Sequence, residues 1–157
     1  MPRWGKGADQ IQAMLERREL QRVAGGADAA LGLLDSADRH IETSRRALPN
    51  DAEGAYVLAY DASRKAATAL LAQQGLRPTT RGGHIAAVEA IQAQFPGVPG
   101  LRSLDRLRRR RNQAEYPDPA TYDPIDADEA DDAIHTARTA VDTARTILDQ
   151  TDLGPFR

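Results

Sequence analysis

Apolar side chains recur along most of the chain at intervals of three and four residues, the spacing that places them on one face of an α-helix. The clearest stretch follows Asp126, where this spacing continues unbroken through Ala127, Ile134, Val141 and Leu148. No stretch alternates like a strand, and no sequence repeats at a fixed period. The pattern predicts six helical segments: Ala8–Val23, Asp28–Leu48, Asp51–Gln74, Gly83–Phe95, Leu101–Glu115 and Asp126–Gln150.

Capping residues, glycine and proline mark the ends of these segments. Asn50 or Asp51 can cap the start of the third helix with a side-chain oxygen, and Gly75 can end it. Pro117 stops the fifth helix, because a proline ring excludes helical geometry from the residue before it. Residues 117–124 are therefore expected to form an extended loop.

Composition supports the helical prediction and limits the number of domains. Alanine is the dominant apolar residue and aromatic residues make up 4% of the chain, which favours closely packed helices over sheet. A chain of 157 residues is long enough for one core and too short for two ordinary domains. We therefore predict an all-α fold, an antiparallel bundle of about five helices with an extra N-terminal helix or arm. The predicted divisions are the arm over 1–25, the bundle over 26–150 and a C-terminal tail over 151–157.

Cysteine content and hydropathy restrict the chemistry and the location that we expect. The chain has no cysteine, so a disulfide, a thiolate metal site and a cysteine nucleophile are excluded. It lacks an apolar signal segment and has no window of about 18 apolar residues that could span a membrane. The acidic residues of Asp123–Asp132 do not follow a metal-binding loop. We expect a soluble, cytoplasmic protein with no metal, no cofactor and no membrane partner.

Charge is distributed unevenly along the chain. The formal net charge is −2, but the predicted fifth helix is rich in arginine, whereas the residues after Tyr116 are mainly acidic. A helical wheel places Arg102, Arg106, Arg109 and Arg110 largely away from the apolar face. These arginines are expected to be solvated or to meet the acidic last helix.

Arg111 differs from these arginines because the wheel places it at the centre of the apolar face. Leu104 and Leu107 belong to this face, and Arg108 lies at its edge. A guanidinium directed at a core or a groove is costly unless it is paired or binds an anion. Glu115 is four residues later on the same face and can supply the pair. An anionic ligand is the alternative.

The end of this helix carries a recognisable string, Arg111-Asn112-Gln113-Ala114-Glu115-Tyr116. It resembles the signature of the HEPN (higher eukaryotes and prokaryotes nucleotide-binding) family, in which an arginine, often followed by asparagine, precedes a histidine at a helix end. The segment Ala59–Ala66 is similar to the second helix of bacterial HEPN proteins, and Gly75–His84 is also typical of that group. The resemblance extends over about residues 28–150.

The resemblance implies an RNA-binding or nucleotide-binding site near Arg111 in a homodimer. Many HEPN proteins are metal-independent ribonucleases whose arginine binds phosphate and whose histidine transfers protons. Asn112 would orient the substrate. Tyr116 occupies the position of the histidine, and a phenol that titrates near pH 10 is a poor base at neutral pH. The phosphate-binding half of the motif is therefore present, whereas the proton-transfer half is missing.

Two further residues can join this site. Arg64 shares a helix with Tyr60 and would reach Arg111 if the two helices are neighbours, and His84 follows Gly82-Gly83 at a helix start that can bind an anion. His40 and His135 are expected to have no catalytic role. The predicted site has Arg111 and Tyr116 as catalytic candidates, with Asn112, Arg108, Arg64, Glu115 and His84 as binding candidates.

Three functions remain open at this point. The leading hypothesis is binding of RNA or a nucleotide with weak or no nuclease activity. The second is a metal-independent ribonuclease, such as the toxin of a toxin–antitoxin or phage-defence pair, with an antitoxin as partner. The third is a structural bundle that binds another protein and in which Arg111 is satisfied by Glu115.

Overall fold

A computed structural model describes residues 4–156, which form six α-helices and one pair of short strands. Residues 1–3 of the predicted arm and residue 157 of the predicted tail lie outside the described residues. In chain order the elements are α1 (Ala8–Glu16), β1 (Leu20–Arg22), α2 (Ala27–Ala47), α3 (Ala52–Gln73), β2 (Leu76–Pro78), α4 (Gly83–Gln94), α5 (Leu104–Glu115) and α6 (Ala127–Gln150), with 3₁₀ turns at Leu101–Ser103 and Pro119–Thr121.

Helix α3 lies at the centre of the bundle and packs against α2, α4, α5 and α6. It is buried on several sides rather than along one stripe, and most of its buried residues are alanines. Small side chains allow neighbouring helices to approach closely. A helix with neighbours on several sides is therefore expected to be rich in alanine, as α3 is. The predicted all-α bundle is confirmed.

Capping residues set the ends of the helices much as the sequence predicts. The Asp51 carboxylate accepts a hydrogen bond from the amide of Gly54 at 2.8 Å and so caps α3. Asp126 caps α6 in the same way through the amide of Glu129, also at 2.8 Å. Gly75 follows α3 with a φ of 68°, the left-handed geometry that ends helices.

The N-terminal segment differs from its prediction, because the helix ends early and a strand follows. Helix α1 stops at Glu16, and β1 then pairs antiparallel with β2, placing Leu20 opposite Pro78 and Arg22 opposite Leu76. The prediction of a helix to Val23 and of no strand was therefore wrong here. Leu20 is 1% exposed, and this burial depends on a partner strand distant in the sequence, which a local pattern does not reveal.

The residues after α6 pack against the end of α3. Leu153 and Phe156 are each 3% exposed. The side-chain amide of Gln73 donates to the carbonyl oxygen of Leu153 at 3.2 Å, and the amide of Phe156 donates to the carbonyl oxygen of Gln74 at 2.9 Å. These contacts bring the C-terminal segment beside the strand pair, where Arg22 donates to the carbonyl of Phe156.

None of the helices in the described part of the chain combines the length and the apolar composition that crossing a membrane requires.

Candidate anion-binding site

A hydrogen-bonded tyrosine–histidine pair joins α3 to the start of α4. The hydroxyl oxygen of Tyr60 is 2.8 Å from Nδ1 of His84, and the two rings are tilted by 37°. Tyr60 is fully buried, whereas His84 is half-buried in the first turn of α4. The buried tyrosine therefore fixes the orientation of a histidine that is partly accessible.

Two arginines from different helices flank this pair. The guanidinium carbon of Arg111, on α5, lies 5.9 Å from the centre of the Tyr60 ring, in the range of a cation–π contact. Arg64 is one helical turn after Tyr60 on α3 and lines a groove together with His84. The charges of both arginines act on Tyr60 and on His84. The packing of α3 against α4 and α5 thus brings four polar side chains together.

Each arginine of this group also has a carboxylate within its own helix. Arg64 lies 3.6 Å from Asp61, and Arg111 lies 3.2 Å from Glu115. Arg111 further donates to the side-chain oxygen of Asn112 at 3.2 Å. The Nε atoms of Arg64 and Arg111 are buried and have no hydrogen-bond partner among the described residues. The ion pairs therefore use only part of the donor capacity of the two guanidinium groups.

A groove of about 300 Å³ opens beside His84 and Arg64. Its floor and walls are completed by the loop between β2 and α4. This loop is held by Thr79, whose hydroxyl is 2.6 Å from the carbonyl oxygen of Arg18 and whose amide donates to the carbonyl of Glu19 at 3.0 Å. The N-terminal segment thus supports the loop. The other lining residues are Thr68, Arg77, Pro78, Thr79, Thr80, Gly83 and Ala87.

The surroundings of His84 favour its neutral form. Burial lowers the pKa of His84 below its usual value, the charges of Arg64 and Arg111 lower it further, and Asp61 opposes them. Burial also raises the pKa of Tyr60 to about 12, so this phenol stays protonated at neutral pH. At pH 7 the cluster therefore combines two cationic arginines with a neutral imidazole and a neutral phenol.

The predicted site residues separate into two groups. Arg64 and His84 line the groove, whereas Arg111 packs over the Tyr60 ring and contacts Asn112 and Glu115 without lining it. Arg108 acts on the same cluster through its charge while it pairs with Asp105. Tyr116 is the C-cap of α5, and its amide donates to the carbonyl oxygen of Asn112 at 2.9 Å. The residue is 79% exposed, and among the described residues no hydrogen bond joins its hydroxyl to the cluster.

Tyr60 was not among the predicted site residues, although it orients His84 and contacts Arg111. Its signal in the sequence is its position four residues before Arg64, which places both side chains on one side of α3. The link to His84 depends on how α3 and α4 pack, so the sequence alone does not reveal it.

Within the described residues, no group of three or more histidine, aspartate or glutamate side chains is arranged to hold a metal ion. The guanidinium donors of the cluster and the amino end of α4 are groups that favour an anion.

The helical bundle with arginines at the end of its fifth helix agrees with the comparison of the sequence with protein families. The HEPN domain model matches residues 30–147, which is most of the chain. The chain therefore belongs to the HEPN family, which comprises helical domains that are often RNA-related. This confirms the family that the string Arg111–Tyr116 indicates. Curated proteins and solved structures give no match to the chain.

Proposed function

We propose that this HEPN domain binds a phosphate group of RNA or of a nucleotide between Arg64, Arg111 and His84. The observation that carries the proposal is the convergence of Arg64 and Arg111 on the hydrogen-bonded Tyr60–His84 pair. Guanidinium groups match phosphate oxygens with paired N–H donors, and such charge-assisted hydrogen bonds are the strong ones.

The carboxylates near the two arginines do not compete effectively with such a ligand. Asp61 and Glu115 each approach one end of a guanidinium group, and their side chains are 28% and 29% exposed. Ion pairs that reach water contribute little, typically below about 1 kcal/mol. A phosphate that contacts both arginines at once therefore gains more binding free energy than is lost when either ion pair is weakened.

His84 adds a donor whose direction is set by its partner. If Tyr60 donates its proton to Nδ1 of the neutral imidazole, the other ring nitrogen carries the hydrogen and can donate to a phosphate oxygen. The amino end of α4 lies beside it and favours negative charge. The site can thus bind an anion through three separate side chains.

Binding of a mononucleotide to single-site variants tests this proposal. Uridine monophosphate is titrated at low salt into the wild type and into the Arg64→Gln and Arg111→Gln variants. Loss of one charge-assisted hydrogen bond of about 1.5–3 kcal/mol predicts roughly 10-fold to 100-fold weaker binding for each variant. Unchanged binding in both variants would refute the proposal and favour the structural alternative, in which Glu115 satisfies Arg111.

Arg138→Gln provides the matched control. Arg138 is also a partly buried arginine whose Nε atom has no partner in the described part of the chain, and it pairs with Asp38 at 2.7 Å and Asp142 at 3.1 Å. It lies on α6, outside the cluster. This variant loses the same charge and a comparable set of contacts, so it should retain mononucleotide binding.

Metal-independent cleavage of RNA is a second candidate function, and the position of His84 favours it. In the tautomer in which Nδ1–H of His84 donates to the Tyr60 hydroxyl, the other ring nitrogen can accept a proton from a ribose hydroxyl while the arginines stabilise the charge on phosphate. RNA cleavage in the presence of a chelator, and growth arrest on expression as for a toxin, test this hypothesis. Both effects should disappear in His84→Gln and in Arg111→Gln, and their persistence would contradict it.

HEPN domains often dimerise, and we propose that this chain does so around the end of α5. Tyr116 is 79% exposed there, and Ile85, next to His84, is 51% exposed. A second copy would cover these large side chains close to both cationic clusters. Analytical ultracentrifugation should show a dimer that Tyr116→Ser weakens, and a monomeric wild type at high concentration would contradict this.

A further inference from the structure

The face of α5 that points away from the Tyr60–His84 pair carries a second set of arginines. Arg106 and Arg109 of α5, with Arg102 of the preceding 3₁₀ turn, line a groove of about 620 Å³ between α5, α4 and the starts of α3 and α6. We name it the outer groove. All three residues are exposed. Its other lining residues are Tyr56, Gln92, Asp105, Arg110, Gln113 and Glu129.

The outer groove has an excess of positive charge. Arg109 pairs with Asp105 at 2.8 Å, and Arg110 pairs with Glu129 at 2.5 Å. Arg102 and Arg106 have no ion pair among the described residues. The groove therefore has two cations that are not neutralised, one in the 3₁₀ turn and one in the first turn of α5.

This lining suits the backbone of a nucleic acid better than the surface of a protein. A stable protein interface needs an apolar, desolvated centre. The large exposed hydrophobic residues of the described chain are Leu31, Ile85, Tyr116 and Tyr122, and none of them lines the groove. The exposed side chains instead carry guanidinium and amide groups, which are the groups that contact phosphate and sugar.

The outer groove and the phosphate site lie on different faces of α5. Arg108 and Arg111 act at the Tyr60–His84 pair, whereas Arg109 and Arg110, which lie between them in the sequence, line the outer groove. A helix with its side chains is about 10–12 Å across, a distance that a short single strand can cover. Phosphates a few nucleotides apart on one strand can therefore reach both faces of α5.

We infer that the outer groove binds the phosphodiester backbone of single-stranded RNA, so that the ligand is a polymer rather than a free nucleotide. The inference rests on the proposed phosphate site, which would hold one phosphate of the strand while Arg102 and Arg106 contact others. Affinity from such contacts depends on salt, because each neutralised phosphate releases a counterion.

The double variant Arg102→Gln/Arg106→Gln tests the inference with two probes, oligouridylate and uridine monophosphate. Two lost phosphate contacts on a single strand should lower the slope of log affinity against log salt by about 1.4 for oligouridylate. Binding of oligouridylate at low salt should weaken by roughly 10-fold or more. Binding of uridine monophosphate should stay unchanged.

Arg39→Gln/Arg45→Gln is the matched control. Both residues are exposed on α2, neither has an ion pair among the described residues, and α2 does not line the groove. The control removes the same charge, so it reports the effect of net charge alone. It should leave the salt slope for oligouridylate unchanged.

Three results would overturn the inference. One is an equal loss of oligouridylate binding in the double variant and the control, and another is full retention of binding and salt slope in the double variant. The third is tighter binding of a polyglutamate peptide than of oligouridylate to the wild type, with loss of peptide binding in the double variant. The outer groove would then be a binding site for an acidic protein. If neither nucleotide probe binds the wild type, the proposed function itself fails.

Discussion

The hydroxyl oxygen of Tyr60 lies 2.8 Å from Nδ1 of His84 and so joins the most buried helix of the bundle to the residue that opens onto the groove. Arg111 packs over the same tyrosine ring from α5. One buried phenol therefore contacts two of the three groups that we assign to phosphate binding. The geometry of the site depends on α3, the helix that is fixed most firmly by its packing.

Tyr60→Phe tests whether this hydrogen bond positions His84. The variant keeps the ring under Arg111 and removes the hydroxyl, so the free energy of unfolding should fall by about 1 kcal/mol. Affinity for uridine monophosphate should fall a few-fold, because the hydrogen bond from His84 to the phosphate is weakened but not lost. Tyr56→Phe, at an equally buried tyrosine outside the cluster, is the control and should bind the mononucleotide normally. Equal binding by both variants would show that the hydrogen bond has no positioning role.

Glu115→Gln separates the ligand account of Arg111 from the structural alternative. Removing the carboxylate 3.2 Å from Arg111 leaves this cation without its ion pair, so uridine monophosphate should bind roughly 2-fold to 5-fold more tightly. The change in unfolding free energy should be within about 0.5 kcal/mol. Glu42→Gln removes the similar i,i+4 pair with Arg46 on α2 and should not affect binding. Weaker binding in Glu115→Gln would instead mean that Glu115 contacts the ligand.

The lowered pKa of His84 predicts how stability changes with pH. Between this lowered pKa and the unfolded value near 6.5, the unfolded chain binds more protons than the folded one, so stability decreases as the pH falls through this window. Urea unfolding of the wild type and of His84→Gln between about pH 7.5 and pH 5 measures the effect. The unfolding free energy of the wild type should decrease more than that of the variant as the pH falls. An equal decrease in both proteins would contradict a lowered pKa of His84. His40 also has a lowered pKa but is present in both proteins, so its effect cancels.

Gly100→Ala tests the junction between the 3₁₀ turn at Leu101–Ser103 and α6. Gly100 has a φ of 80°, and a Cβ atom there would be 2.4 Å from the backbone nitrogen of Ala140. The variant should lose more than about 1 kcal/mol of unfolding free energy. Gly32→Ala, in the exposed interior of α2 with no atom within 4 Å of the added carbon, should gain roughly 0.5–1 kcal/mol. In thermal melts the melting temperature should fall for Gly100→Ala and rise for Gly32→Ala. Equal changes in the two variants would contradict this expectation.

The helices could be predicted from the sequence because their signals are local. The three- and four-residue spacing of α6 and the caps at Asp51 and Asp126 depend on neighbours within one or two turns. The strand pair could not be predicted, since Leu20 and Pro78 are adjacent only after α1, α2 and α3 have packed. Tertiary pairing here outweighs the weak helical pattern of residues 17–23.

In the candidate site, too, contacts within one helix could be predicted from the sequence, whereas contacts between helices could not. Arg111 and Glu115 are on one helix, so a wheel predicts their contact, and the 3.2 Å ion pair confirms it. The contacts of Arg111 with Tyr60 and of Tyr60 with His84 each join two helices. These contacts depend on how the helices pack, which the spacing of apolar residues does not encode. The sequence therefore indicates candidate residues but not which of them are in contact.

The central claim is that a phosphate binds between Arg64, Arg111 and His84, and the pKa of His84 reports on it directly. A bound anion beside the imidazole favours its protonated form, so NMR titration of the His84 ring should give a higher pKa at saturating uridine monophosphate than in the free protein. The loss of this signal from the spectrum of His84→Gln identifies it. A His84 pKa that is the same with and without bound mononucleotide would contradict the account.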